Sequence, residues 1–314
     1  MISSAYLLES HGAGPNHPIL TCIERTKIDD QYEWHIVEYD PAEKETRVKY
    51  ISNRHIDDLS WSFDHTYLAF QYSGMTYSEF MPPEEIEKKG LDPAADVGHA
   101  LVILDRNYKL KTEWPNVRRY YWNPSLSNSL VAITGENSEE GIGFIPREVI
   151  VYDVDKQYRT ILPNQVIDVF WALHDHKIYL QNEHVVSFDP RNMKIADTSY
   201  QGIFFSPDGS YYYSPSIEGS YFTIRRTNND EMVHTHPALK EEYLQPQGWL
   251  EGENCLVVYD YGRKVTEIIN VENGKSMQIP KYFQTKLGAY VPRLLLDESQ
   301  TPFEITDDMI QSLR

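Results

Sequence analysis

Apolar residues along the chain fall in short runs separated by polar turns, with little of the 3.6-residue stripe of an amphipathic helix. AYLLE (5–9), YLAFQY (67–72), LVILD (101–105), VIVYD (149–153) and CLVVYD (255–260) each have strand length and are rich in β-branched and aromatic residues. The stretch FFSPDGSYYYSPS (204–216) shows how two such runs are joined. Pro207 presets its own φ, Asp208 has a side chain that caps a turn, and Gly209 is free to take φ > 0. Phe205 thus ends one strand, Tyr211 begins the next, and the pair is predicted to be a hairpin.

The arrangement recurs. A bulky aromatic residue precedes a turn and an apolar strand at Trp61 (LSWSFDHTYLAFQY), Trp122 (YYWNPSLSNSLVAITG), Trp171 (VFWALHDHKIYLQ), Phe205 and Trp249 (QGWLEGENCLVVYDY). Downstream of each, and also after AYLLE, comes an apolar strand, a polar turn and a shorter strand. These turns lie near Asp40, Asn107, Asp155, Arg191, Asn229 and Asn273. Each unit reads strand, turn, strand, loop, strand, turn, strand, which is the pattern of one propeller blade. A sandwich of short strands does not explain why the anchor recurs with the same downstream partner. The predicted fold is all-β: a six-bladed β-propeller of four-stranded antiparallel blades over residues 4–280, a single domain spanning 1–314. Residues 281–314 form a C-terminal extension or closing segment, with a strand in YVPRLLLD (290–297) and a short helix after Thr306. Seven blades with an incomplete last blade is the alternative.

FSPDGSYYYS (205–214), WSFDHTYLAF (61–70) and VIVYDVDKQYRTILP (149–163) resemble the repeats of TolB-like and WD-repeat β-propellers. The resemblance covers most of the chain and implies the fold. It leaves function open, because propellers serve as scaffolds, binders and enzymes. The paired Gly-His and Trp-Asp dipeptides of WD repeats are not present as a set: Gly98-His99 stands alone, and no hydrolase domain accompanies the repeats.

Composition narrows the partners. The 314 residues are 41% hydrophobic and 13% aromatic, enough for a strand-built core. They carry 47 acidic against 29 basic side chains, a net charge of −18. That balance argues against nucleic acid, which needs a basic footprint, and against anionic membrane surfaces. Cys22 and Cys255 make neither a disulfide framework nor a zinc-ligand spacing. The opening MISSAYLLESHGAG lacks the basic and apolar regions of a signal peptide, and no apolar run has bilayer-spanning length, so a cytoplasmic location is expected.

Signatures of catalysis are sparse. G-x-S-x-G, the P-loop and H-E-x-x-H are absent, so no catalytic residue and no cofactor is assigned, and an enzyme is the less favoured class. His234-Thr-His236 has the i, i+2 spacing that puts both rings on one side of a strand, yet no third ligand accompanies it and no metal is assigned. His174-Asp175-His176 and Asp153-Val-Asp155 read as solvated turns. In a propeller, residues just ahead of each anchor ring the channel mouth. Asp57, Asp58, Arg118, Arg119 and Asp168 occupy such positions and are candidates to orient a small polar ligand or a peptide end, against the plainer reading of inter-blade ion pairs.

Two long insertions, 73–99 and 135–148, each join a second strand to a third and are expected on the same face as that mouth. In the first, Pro82-Pro83 opens a short helix through Lys89 with Gly90 as its stop. Tyr77, Phe80, Met81 and Ile86 in the first insertion, with Phe144 and Arg147 in the second, are the candidate partner-binding residues. The favoured reading is a non-catalytic scaffold that binds a protein or peptide carrying a basic patch. The alternative is a hydrolase- or lyase-type enzyme, or a small-ligand binder, with its polar site at the channel mouth.

Overall fold

In the computed structural model, residues 4–12, 18–28, 31–40, 42–72, 83–90, 99–125, 128–137, 144–162, 166–215, 221–237, 244–260, 262–281, 283, 289–297 and 301–314 are described. Their strands form six four-stranded antiparallel sheets, each taken in chain order from consecutive strands. The first sheet holds β1 (Ser4–Gly12), β2 (Pro18–Ile28), β3 (Gln31–Asp40) and β4 (Glu45–Ser52). The second holds β5 (Ile56–Trp61), β6 (Tyr67–Tyr72), β7 (Ala100–Asp105) and β8 (Leu110–Pro115), with helix α1 (Pro83–Lys89) between β6 and β7. The third holds β9 (Val117–Trp122), β10 (Ser129–Asn137), β11 (Phe144–Asp153) and β12 (Tyr158–Leu162). The fourth holds β13 (Asp168–Trp171), β14 (Ile178–Gln181), β15 (Val185–Asp189) and β16 (Lys194–Asp197). The fifth holds β17 (Phe204–Phe205), β18 (Tyr211–Pro215), β19 (Tyr221–Arg226) and β20 (Met232–Pro237). The sixth holds β21 (Leu244–Leu250), β22 (Cys255–Asp260), β23 (Val265–Asn270) and β24 (Ser276–Ile279). This is the six-bladed β-propeller that the repeat predicts.

Burial grades across each blade and explains why its strands differ in composition. Every residue of β6 and of β22 is buried, and β7 is buried up to Leu104, so these strands face apolar neighbours on both sides and read as unbroken apolar runs. The fourth strands β8 and β16 are exposed or half-buried throughout and are correspondingly polar.

Trp61, Phe205 and Trp249 fill the space between neighbouring sheets. Trp61, Trp122, Trp171, Phe205 and Trp249 are all buried. The Trp61 indole donates to Thr21 Oγ1 on β2 at 3.0 Å, and the Trp249 indole donates to the Phe204 carbonyl on β17 at 2.9 Å, so each reaches from its own sheet to the preceding one. The first turns repeat as well. In the second and fifth sheets, Asp64 and Asp208 each accept the amide two residues on (Thr66 and Ser210), and Ser62 and Ser206 each accept the amide that starts the next strand (Tyr67 and Tyr211).

Contact density divides the chain into two units, 1–118 with 134–145, and 119–133 with 146–314. In the first, Ile23, Trp34, Ile36, Leu59, Trp61, Phe70 and Val102 form a continuous core. In the second, Phe170, Phe205, Tyr212, Phe222, Trp249 and Val258 do so.

Among the described residues, the tail adds to the sixth sheet and begins no seventh blade. β25 (Ala289–Val291) pairs in parallel with β21 as a fifth strand of the sixth sheet, with Trp249 opposite Tyr290. β26 (Leu294–Leu296) and β27 (Pro302–Glu304) make a separate hairpin, and α2 (Asp307–Leu313) follows with Thr306 as its N-cap. Phe283, Leu295, Ile305, Ile310 and Leu313 bury themselves against Leu250, Val257 and Ile268 of the sixth sheet.

Trp249→Ala removes a side chain that is 1% exposed together with its indole hydrogen bond. It is expected to lower the unfolding free energy by about 3–5 kcal/mol, as measured by denaturant titration of the whole chain. A loss well below that range contradicts the inter-sheet role of the anchor.

Candidate functional site

The residues ahead of the anchors lie at the starts of the first strands. Asp57 and Asp58 lie on β5, both half-buried. The β5–β6 ladder steps from Asp57 opposite Gln71 to Ser60 opposite Ala69, so β5 holds one extra residue. Asp58 sits in this bulge with φ at 53°, the left-handed region, and its amide donates to the Asp57 carboxylate at 2.9 Å.

Asp168 begins β13 and stands opposite Gln181. Its Oδ1 accepts the Val169 amide at 2.8 Å, as the Asp57 carboxylate accepts the Asp58 amide. Allowing for the bulge, Asp57 with Gln71 and Asp168 with Gln181 are one motif used in two sheets, an Asp that caps the next amide and faces a Gln across the ladder. The shared Ile-Asp dipeptides, Ile56-Asp57 and Ile167-Asp168, each followed by a Trp anchor and then a Gln, are the sequence signal for it. Counting back from the anchors alone hides that signal, because the bulge offsets the two by one position.

Arg119, on β9, is ion-paired through Nη1 with the other carboxylate oxygen of Asp168. The guanidinium keeps 47% of its surface exposed and the carboxylate 14%. Burial raises the Asp168 carboxyl above its ordinary range, and Arg119 and the Val169 amide offset this only in part. Tyr213 on β18 completes the cluster. It is buried, and burial followed by the negative charge of Asp168 drives its hydroxyl further from ionisation. Sequence reasoning missed Tyr213, whose place beside Asp168 depends on packing between sheets. Arg118, also on β9, is half-buried. A paired, amide-capped carboxylate of this kind holds its two strands together and suits neither a nucleophile nor an open metal ligand.

Of the insertion residues, Tyr77, Phe80 and Met81 lie outside the described residues. Ile86 is 3% exposed, the buried point of α1, while Glu84, Glu85 and Glu87 are exposed. Glu85 pairs with Lys89 one turn on at 2.7 Å, and Gly90 closes the helix with φ at 64°, as the sequence predicts. The first insertion leaves from Tyr72 and returns to Ala100, which pair with each other, and Tyr72 also pairs with Ile56. Both of its ends therefore lie at the end of the second sheet where β5 begins. Phe144 starts β11 with its side chain outside the described residues, and Arg147 is exposed further along the same strand. The side chains of His234 and His236 on β20 also lie outside the described residues. Among the described residues, no group of His, Cys, Asp and Glu has the geometry to hold a metal, and no helix is long and apolar enough to cross a membrane.

An open cleft of about 650 Å³ lies against the turns of the fifth and sixth sheets, with Asp208, Glu253, Asn254, Glu272 and Arg314 in its walls. Its acids are engaged. Asn254 donates to Asp208 and to Glu272, and Glu253 receives Arg293 and Arg314.

No protein-family model and no curated protein matches the sequence. Solved structures do match. The β-propeller domain of Cps50 (Swd1) from Myceliophteria thermophila is 10% identical over 98% of each chain, with a TM-score of 0.60. The β-propeller domain of the Trilobed protease from Pyrococcus furiosus, described as having an open velcro topology, is 13% identical over 97% of this chain and 98% of that one, with a TM-score of 0.57. TolB from Acinetobacter baumannii is 14% identical over 78% of this chain and 59% of that one, with a TM-score of 0.46. The class of protein is thus a β-propeller.

The raised pKa of Asp168 fixes the sign of a pH effect. The folded protein holds this proton more tightly than the unfolded chain, so the group's contribution to stability is greatest below its ordinary value of 3.8 and is lost as pH rises through the folded value. Arg119→Gln removes the charge that offsets burial. The variant is expected to match the parent near about pH 3.5 and to be roughly 1–3 kcal/mol less stable near neutrality, short of the fully buried range because Arg119 is half exposed. Adding Asp168→Asn should recover most of the loss. Denaturant titrations across pH check this, and a pH-independent deficit contradicts it.

Proposed function

We propose that the chain is a non-catalytic β-propeller that binds a protein or peptide through the face carrying the insertions 73–99 and 135–148. The observation that carries this reading is the first insertion itself. It is an excursion between paired strands that contains a helix, held by the buried Ile86 and exposing Glu84, Glu85 and Glu87. Residues 135–137, 144 and 145, the described part of the second insertion's start, fall in the same compact unit as α1. In this reading Tyr77, Phe80, Met81, Phe144 and Arg147 are the contact residues and the exposed Glu84, Glu85 and Glu87 of α1 their charged surround, the composition that specific interfaces use. The rim and the net charge of −18 favour a partner with a basic patch. The location we assign is the cytoplasm. The competing reading, a ligand or catalytic site built on Asp57, Asp58, Arg118, Arg119 and Asp168, is weakened by the closed Arg119–Asp168 pair.

The test uses the whole chain as bait with two double variants. Phe80→Ser with Met81→Ser is expected to weaken partner capture by at least about tenfold while leaving the melting temperature nearly unchanged. Glu84→Lys with Glu87→Lys is expected to slow association and flatten its salt dependence. A large drop in melting temperature in the first variant assigns those side chains to the protein's own core. Unchanged binding of an identified partner in both variants moves the interface elsewhere.

A further inference from the structure

The first turn of the fourth sheet, residues 172–177 between β13 and β14, is a junction that neither the fold nor the proposed interface requires in this form. It reads Ala-Leu-His-Asp-His-Lys. Asp175 makes the repeated turn, accepting the Lys177 amide at 3.1 Å, and the two histidines flank it. They point to different neighbours. His176, with φ at 60°, places Nδ1 at 2.7 Å from the Ser125 hydroxyl in the first turn of the third sheet, where Asn123 holds the Ser125 amide. His174 lies on Gly209 in the first turn of the fifth sheet, so closely that a Cβ added at Gly209 would overlap the ring. The His174 ring stacks with Tyr179 and packs against Phe205 at 5.2 Å between centroids. Leu173, beside it, donates its amide to the hydroxyl of Tyr290 on β25 at 3.0 Å. Turns of three sheets and the added strand therefore meet at these residues.

We infer that this junction is a pH-operated clip, in which His174 holds the first turn of the fifth sheet only while its imidazole is neutral. The geometry supplies the reason. His174 Nδ1 is buried and has no hydrogen-bond partner among the described residues. Its Nε2 stands 3.7 Å from Asp175 Oδ1, beyond a hydrogen bond. Asp175 is already engaged by Lys177 Nζ at 3.2 Å and by the Tyr179 hydroxyl at 2.9 Å. The other charged groups facing the ring are Asp208 on the fifth sheet and Lys177 and His176 on its own turn, while Arg191, from the β15–β16 turn, reaches the Asp175 carbonyl. Asp208 is committed to Asn254 and to its own turn. A proton added to the neutral ring thus makes both ring nitrogens donors in a pocket that offers Nδ1 no acceptor.

Burial lowers the imidazole's affinity for a proton below its ordinary value of 6.5, and the nearby carboxylates only partly oppose this. The unfolded chain therefore binds the proton more tightly. The clip's contribution is complete above 6.5 and is lost as pH falls through the lower folded value. On protonation the ring leaves Gly209, and the turn 206–210 loosens together with 173–177.

Three measurements on the whole chain test the clip. The His174 Cε1 proton resonance, assigned by its absence in His174→Phe, should titrate below 6.5. Amide exchange in 206–210, corrected for intrinsic rate, should speed up about tenfold between about pH 7 and about pH 5 in the parent protein. In His174→Phe, which keeps an aromatic ring without a titrating nitrogen, that acceleration should vanish. Gly209→Ala, whose Cβ displaces the ring, should show the fast exchange already near neutrality. If His174→Phe does not fold, the titration and Gly209→Ala decide alone. The clip is refuted if His174 titrates at or above its ordinary value, if the acceleration survives in His174→Phe, or if Gly209→Ala exchanges as slowly as the parent near neutrality.

Discussion

The structure rests on strands that must be covered on both faces. β6 and β22 have no exposed residue, and β7 is buried up to its last position. A four-stranded sheet with such a centre cannot stand alone, because each face exposes apolar area whose burial is worth about 25 cal/mol per Å². Within each compact unit the sheets are covered in part by side chains from a neighbour, and Trp61 and Trp249 do this with direction as well as area. Trp61 and Trp249 each send an indole N–H to the preceding sheet while filling the gap between sheets. Stability in such an array depends mainly on contacts between adjacent repeats, so loss of one anchor weakens two sheets at once.

Short strands packed in this way leave the turns little length in which to reverse the chain. The turn joining the third strand to the fourth meets this demand in the same manner in most sheets. Asp40, Asp105, Asp153, Asp189 and Asn270 end their strands and accept a turn amide on the side chain. Lys44, Tyr108, Gln157, Met193 and Gly274 then take a left-handed φ. Only the last is glycine. A residue with a Cβ costs about 1–2 kcal/mol in that conformation, and the capping bonds offset much of it. The fifth sheet ends its third strand on Arg226 and places Asp230 at the left-handed position. There the Arg225 side chain donates to the Asp230 carbonyl, and the Tyr212 hydroxyl donates to its carboxylate.

The fold was legible because local signals recur and support one another, the aromatic anchor five times and the later turn between two strands six times. The six turns read from the sequence all fall between observed third and fourth strands, and α1, α2 and the Thr306 cap stand where residue chemistry puts them. β25 was not legible as a fifth strand of the sixth sheet, since nothing in AYV (289–291) indicates a parallel partner some forty residues earlier. The polar positions ahead of the anchors were legible as a set but not as a site. The β5 bulge shifts Asp57 by one residue, and Tyr213 reaches Asp168 only through packing between sheets. The reading of His174 as a solvated turn residue failed for a similar reason. Its composition is that of an exposed hairpin, but the glycine opposite, Gly209, lets a neighbouring turn come close enough to half-bury the ring and to bury its Nδ1.

That outcome bears on where function resides in this chain. Polar residues at strand starts and turns look like site candidates because polarity is unusual beside a core, yet here they are largely absorbed by the fold. Asp168 is capped and paired, Asp208 ties together its own turn and that of the sixth sheet, and Asn270 holds the last carbonyl of α2. A segment free to serve a partner is one the repeat does not need. The first insertion meets that condition in its sequence and its register. β6 and β7 pair fully up to Tyr72 and Ala100 without it, and between those residues the chain spends 27 positions that a tight turn would not use. Within them α1 is fixed by a single buried side chain, so it is ordered without being part of the core. A helix that is already formed before binding loses less conformational entropy on binding than an unstructured segment, and that pre-organisation is what a recognition element needs.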